Sequence, residues 1–298
     1  MSTVRRDALL GVVFALLAAV GFSLKAILVK LAYLDGVDAV TLLALRMAFS
    51  VPFFAGVALW ISRREHSPLT LRDRLLVIGL GLIGYYLSSY LDFMGLQYIS
   101  AGLERLILFL YPTMTVILYA LIYRRPIGKK IVAAMSLCYA GIALVFLHDS
   151  GQGGSALGAS LVFLSTLSYS LYLVGAGHAI ERIGTARFTA HAMIVASLAC
   201  LLQFFATHPS GSLDLPVRVY QLSFAMAIFS TVLPVFLLSY AIRHIGSGSA
   251  SLIGSVGPVS TIYLAYLFLG EHISMLQITG SCLVLAGVLV ISLHARKA

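Results

Sequence analysis

Ten stretches of about twenty residues, nearly free of charge and separated by short polar breaks, constrain this chain more than any other feature. An α-helix rises ~1.5 Å per residue, so about 20 apolar residues are needed to cross ~30 Å of hydrocarbon. The stretches lie near residues 8–30, 39–61, 75–98, 102–123, 130–148, 156–178, 187–206, 219–242, 249–269 and 274–293. Only 10% of the residues are charged. A soluble domain carries roughly 25%, because charge must cover its wetted surface. The expected fold class is therefore all-α: a polytopic membrane protein of ten transmembrane helices with the lipid bilayer as its surroundings. The longest breaks, 62–74 and 207–218, are too short to fold alone. Arg5 and Arg6 precede the first apolar run as they would in a leader peptide. The run from Ala8 to Lys30 is long for a leader and no small-x-small site closes it, so it reads as the first span.

Charge then fixes an orientation. With a cytoplasmic N-terminus, 15 of the 20 Lys and Arg residues fall on the cytoplasmic side, in the termini and in loops such as 62–74 and 124–129. The expectation is a multi-pass protein of the cytoplasmic (inner) membrane with both termini inside. The net charge of +9 becomes a topology signal, and no nucleic-acid partner is expected. Cys138, Cys200 and Cys282 lie within apolar runs without metal-ligand spacing, and the histidines form no paired ligand set. No metal and no cofactor are expected, and no Gly-rich nucleotide loop is present to couple ATP. An enzyme is not expected either. Asp92 is the one aspartate inside the spans read here, and Ser247, Ser249 and Ser251 lack a catalytic partner.

Laying Pro112 on Pro258, an offset of 146, aligns residues 87–145 with the second half without gaps. Leu91 falls on Leu237, Gly102 on Gly248, Leu106-Ile107 on Leu252-Ile253, Thr115 on Thr261, and Ala140-Gly141 on Ala286-Gly287. Matches among aliphatic residues arise easily in apolar sequence; proline, threonine and Ala-Gly in one register do not. Residues 1–148 and 149–298 would each hold five helices. Five is odd, so the halves would insert with opposite orientation, as in many secondary transporters.

These residues resemble the drug/metabolite transporter superfamily, in its ten-helix form with two EamA-type repeats. In the second half the resemblance rests on Ser239-Tyr240-Ala241, Gly248-Ser249-Ala250-Ser251, Pro258, the run Leu267 to His272, and Gly280 with Leu285-Ala286-Gly287. In the first half it rests on Gly21-Phe22-Ser23, Lys30, Arg46, Gly95-Leu96, Ala101, Pro112 and Ala140-Gly141. The chain departs from the pattern twice. Arg124-Arg125-Pro126 stands where the second half has Gly270-Glu271, and Glu104-Arg105 fills a stretch that is usually small and apolar. The resemblance implies transport of a small-molecule substrate, and a central cavity lined by helices one, three, four, six, eight and nine. A homodimer is compatible with it.

An ionisable residue inside a span is costly and therefore a functional candidate. Lys25 and Lys30 lie in helix one, Arg46 in helix two, Asp92 in helix three, and Glu104 and Arg105 in helix four. By residue count Asp92 sits ~8 Å below its helix end and Lys25 and Arg46 ~9–10 Å below theirs, so they share a depth. Two readings stand. One is a salt-bridge network in which Asp92 and Arg105 neutralise each other across the hairpin at 98–101. The other is contact with substrate or proton at the outer mouth of the cavity, with a carboxylate that exchanges a proton and couples export to proton entry. Arg46 belongs with the first reading, since helix two is not among the implied cavity helices, and Lys30 can snorkel. Tyr86 and Tyr90 share a face of helix three, Tyr169 and Tyr172 a face of helix six, and Phe236 and Tyr240 a face of helix eight. Tyr90, Tyr86, Tyr111, Tyr172 and Tyr240 join the charged residues as substrate-binding candidates, against a plain packing or interfacial role. Pro112 and Pro258 interrupt helices four and nine and are candidate hinges. The function read from all this is a secondary transporter exporting amino acids, related metabolites or amphipathic compounds. A lipid flippase or non-transporting assembly partner on the same scaffold is the alternative.

Overall fold

The computed structural model describes residues 3–64, 69–151, 153–209 and 212–295. Part of the 62–74 loop, part of the 207–218 break and the C-terminal Arg296 and Lys297 therefore lie outside the described residues. Among the described residues the regular structure is entirely helical. Nine helices among the described residues are long and apolar enough to cross a membrane. They are α1 (Leu9–Tyr33), α2 (Ala39–Arg64), α3 (Leu71–Leu96), α4 (Ala101–Tyr123), α5 (Lys129–Gly151), α6 (Ala156–Gly177), α7 (Thr185–Thr207), α8 (Val217–Gly246) and α10 (Met275–Leu293). The tenth, α9 (Val256–Leu269), is shorter. It is short because its apolar stretch is cut: Gly246 leaves the helical region at φ 78°, a helical piece follows to Gly254, and Ser255 separates that piece from α9. In lipid every backbone polar group must find an internal partner, which is why runs of this composition become helices.

The helix ends follow from polar residues at the breaks. Asp38 accepts from the backbone N–H groups of Val40 and Thr41 at 2.8 and 3.0 Å and starts α2. Thr70 and Asp73 form a capping box at α3. Ser100 and Ser155 cap α4 and α6, each accepting a backbone N–H at 3.1 Å. Gly184 and Gly270 close α6, which continues to Ile183, and α9 at positive φ. Arg124 closes α4 at φ 53°, at the position that Gly270 occupies in α9 one 146-residue offset later.

Two irregularities recur at the same offset. A π-turn spans Leu82–Leu87 in α3, and another spans Ile228–Val232 in α8. Helix α4 is broken at Phe109–Leu110 and the α9 stretch at Ser255, so both prolines fall in the first turn of the helix that follows the break. There a missing N–H costs nothing. Pro112 and Pro258 thus sit at clean breaks rather than at bends within continuous helices.

The packing pairs also come in matched sets. When helix n is paired with n+5, the α1–α8 contact corresponds to α3–α6 and the α1–α9 contact to α4–α6. The pairs α2–α7, α4–α9 and α5–α10 map onto themselves. Glycines set the closest approaches. On α5 a Cβ at Gly141 would stand 2.5 Å from the Gly280 carbonyl of α10, and on α3 one at Gly95 would stand 2.8 Å from the Gly158 carbonyl of α6.

Candidate functional site

Three of the ionisable residues meet at one point between α1, α3 and α4. The Lys25 ammonium lies 2.5 Å from Asp92 Oδ2 and 2.9 Å from Glu104 Oε1. Asp92 and Glu104 are buried, with 3% and 0% of their surface exposed. Asp92 Oδ1 and Glu104 Oε2 have no hydrogen-bond partner among the described residues. Two buried carboxylates thus share one ammonium, and the Arg105 guanidinium lies within electrostatic reach of both.

Among the described residues Asp92 and Arg105, which one of the two readings paired, form no salt bridge, although Arg105 feels the Asp92 charge. Successive helical residues point ~100° apart, so Glu104 and Arg105 leave α4 in different directions. Glu104 turns to Lys25. Arg105 turns to α9, where a Cβ on Gly257 would stand 2.8 Å from its Nη2. Ser23 on α1 donates to the Gly257 carbonyl at 2.9 Å, so that carbonyl is engaged from the other side. Arg105 Nε has no partner among the described residues. Arg46 is buried between α2 and α3, bonded to Ser89 Oγ at 3.1 Å and lying 4.8 Å over the Phe93 ring. It joins two helices and stays outside the Lys25 site. Lys30 lies in the electrostatic field of Glu271, Asp149 and Glu104.

Hydrogen bonds tie the helix ends together near the charged site. The Tyr33 hydroxyl donates to the Phe93 carbonyl at 2.7 Å. Glu271, just past α9, accepts from the Ala101 N–H at 3.0 Å, and Asp149 accepts from Ser100 N–H at 3.3 Å. These bonds stitch the end of the bundle that carries the 97–100 hairpin. Burial raises the Glu271 carboxyl above its usual range, against the Ala101 bond and the Lys30 charge, which lower it. Toward the opposite, basic end, the second half of α4 packs on α6 and α10, while α9 packs on α1.

The tyrosine candidates separate into three groups. Tyr111, Tyr169 and Tyr172 come together: Tyr111 meets Tyr169 edge-on at 5.9 Å, and Tyr169 stacks on Tyr172 at 5.6 Å. Tyr85, which the sequence reading passed over, completes this group with a 3.0 Å hydroxyl contact to Tyr172. Tyr172 is buried at 4% exposure and fits because Gly84 has no side chain; a Cβ there would stand 2.2 Å from its ring. Tyr86 and Tyr90 stack on each other at 6.4 Å and pack on the core shared by α1, α2, α3, α7 and α8. Tyr240 lies apart at the basic end, between Phe14 at 4.8 Å and His244 at 4.1 Å. The Gly84-Tyr85-Tyr86 run was the available signal for Tyr85, but the π-turn changes which of the two tyrosines faces α6.

Ten apolar helices, two broken at prolines in matching positions, and a buried charge cluster where α1, α3 and α4 meet define a multi-pass membrane carrier. The EamA-like transporter family model matches residues 9–147 and again 156–293, and the chain belongs to that family. The transporter YcbK of Bacillus subtilis, itself uncharacterized, is 30% identical over 288 residues, covering 92% of this chain and 90% of that protein. An S-adenosylmethionine/S-adenosylhomocysteine transporter of Chlamydia trachomatis is 25% identical over 231 residues, 73% of this chain and 71% of that one. One crystal structure matches with a TM-score of 0.65 at 17% identity, covering 96% of this chain and 98% of that chain, which supports the fold. The chain is a membrane transporter of a small-molecule substrate embedded in a lipid bilayer.

Proposed function

We propose that this transporter is a secondary carrier that exports small metabolites, amino acids or related compounds among them, across the cytoplasmic membrane, and that the Lys25–Asp92–Glu104 site couples transport to a proton. The observation that carries the reading is the sharing of one ammonium by two buried carboxylates on different helices. A proton there changes the balance of forces among α1, α3 and α4, and α4 is one of the two proline-broken helices. We further assign residues 1–148 and 149–298 to two repeats of opposite orientation. The shared register of the π-turns, the proline breaks and the packing pairs supports that division. Both termini are then cytoplasmic.

The test is transport into and out of proteoliposomes under an imposed pH gradient. Asp92→Asn should abolish gradient-driven transport while leaving a folded protein, because Glu104 still pairs with Lys25. Lys25→Gln leaves two buried carboxylates facing each other and should cost about 3–5 kcal/mol of stability. Adding Asp92→Asn to Lys25→Gln should recover part of that loss. Full gradient-driven transport by a stable Asp92→Asn protein would remove the coupling role and leave the cluster as scaffolding.

A further inference from the structure

We propose that Glu271 is a gating residue of this carrier: its carboxylate, supplied by the second half, latches the first turn of α4 in the first half, and it leaves that turn when the hairpin end of the bundle opens. This role requires only that the chain is a transporter. It holds whether or not the Lys25 site moves a proton, and in either orientation of the bundle.

A carrier built from two halves opens each end in turn, so each end needs contacts that close it and can be given up. The first N–H groups of a helix have no partner within that helix, and its N-terminus carries partial positive charge. At α4 those groups are met from the other half. Glu271, the residue after the Gly270 cap of α9, accepts from the Ala101 N–H at 3.0 Å. Gln277 of α10 lies against the same turn, where a Cβ on Gly102 would stand 2.3 Å from its Nε2. Ala101 and Gln277 are both buried. The Asp35–Arg218 pair, the Asp38–His208 pair and the bond from the Ser155 N–H to the Tyr98 carbonyl also join the halves at this end, and each has an exposed partner.

The grip is one that can be released. Glu271 Oε1 is bonded, whereas Oε2 is covered and has no hydrogen-bond partner among the described residues. Such a carboxylate bears the cost of lost hydration on one oxygen while it holds with the other. Three residues further along α4 the buried Glu104 meets Lys25, so the turn that Glu271 holds leads directly to the charged site. The opposite end differs. One 146-residue offset earlier, Arg125 follows the Arg124 cap as Glu271 follows Gly270. Arg125 is exposed, and an arginine has no acceptor to offer a helix N-terminus. The helical piece that follows Gly246, the counterpart of the first turn of α4, cannot be latched by it.

The experiment uses the full chain in detergent, with the exposed Cys282 removed by Cys282→Ser and a reporter thiol introduced by Ile262→Cys. Ile262 is buried and faces the first turn of α4, 3.5 Å from a Cβ on Gly102. A second reporter, Ala176→Cys, lies buried beside Tyr172 toward the basic end. Maleimide labelling is followed in time. Glu271→Ala should speed labelling at position 262 about fivefold, the effect of one lost helix cap on an opening equilibrium, and leave position 176 no faster. Ala101→Pro should do the same while keeping the glutamate. Proline is tolerated at a first helical position, Ser100 before it is already extended at φ −66° and ψ 155°, and the ring replaces the N–H that Glu271 accepts. Glu271→Gln keeps an acceptor and should give a smaller rise; it decides the question if the other two variants fail to fold. Unchanged labelling at position 262 in the folded variants would overturn the proposal. An equal rise at position 176 would overturn it too, since a cap that serves stability alone loosens the whole protein when lost. Neither outcome bears on the pH-gradient test of Asp92, so the two readings fail separately.

Discussion

Arg124 ends α4 with its backbone in the left-handed region, where a side chain is strained by roughly 1–2 kcal/mol. Gly270 takes the same conformation at the end of α9 without that strain. Arg124→Gly should therefore stabilise the protein by up to about 1 kcal/mol once the extra freedom of the unfolded glycine is deducted. A raised unfolding midpoint would confirm it. Glu271 gives a second expectation. Burial raises the pKa of its carboxyl in the folded state above the usual glutamate value of 4.5, so its share of stability is largest below that value and is lost as pH rises through the folded one. The wild-type protein should gain stability relative to Glu271→Gln as pH falls from 8 toward 5. Glutamine keeps an acceptor for the Ala101 N–H and does not titrate, so a parallel pair of curves would contradict the assignment. At this scale the sequence was informative about depth and silent about direction. The rule that charge between spans is costly singled out Lys25, Asp92, Glu104 and Arg105. Which carboxylate faces which cation depends on the azimuth of each side chain, and a phase error of one residue exchanges Lys25 for Arg105 as the partner of Asp92.

Helix α3 owes its azimuths to the π-turn at Leu82–Leu87. A π-turn inserts one residue into the helical phase, which rotates everything beyond it by ~100° relative to an uninterrupted helix. Asp92 reaches Lys25 in that rotated frame. Deleting Leu87 should restore regular phase, turn Asp92 away from Lys25 and abolish any coupling that depends on it; a transport assay on a folded deletion protein checks this. Gly84 tests the same turn from its other side. Gly84→Ala drives a methyl group into the Tyr172 ring and should cost roughly 1–3 kcal/mol through overpacking. Unchanged thermal stability would show that Tyr172 has room to move. Apolar periodicity locates a helix such as α3 easily. It carries no mark of a π-turn, because every residue from Leu80 to Leu87 is acceptable on either phase, and this is why Tyr85 went unnoticed beside Tyr86. The prolines were legible as interruptions, but only the coordinates place them in the first turn of a new helix.

Across the whole molecule, the uneven spread of Lys and Arg separates the two ends of the bundle. The end holding Arg124, Arg125, Lys129 and Lys130 should face the cytoplasm. Reporter fusions at Gly128 should be active inside and fusions at Gly36 or Gly270 outside, and the reverse pattern would overturn the orientation. The ten-helix plan and the 146-residue offset could both be read before any coordinates, since length, hydropathy and a handful of costly residues determine them. The two π-turns carry the offset further back. An extra residue in a helix disturbs the phase of all that follows, and it is tolerated only if the neighbours adjust with it. Two separate insertions at the same register, in halves whose sequences have drifted so far apart, would be an unneeded coincidence. The simpler history has the extra residue already present in a five-helix ancestor, copied when that ancestor doubled, so the irregularity is older than the molecule that now contains it twice.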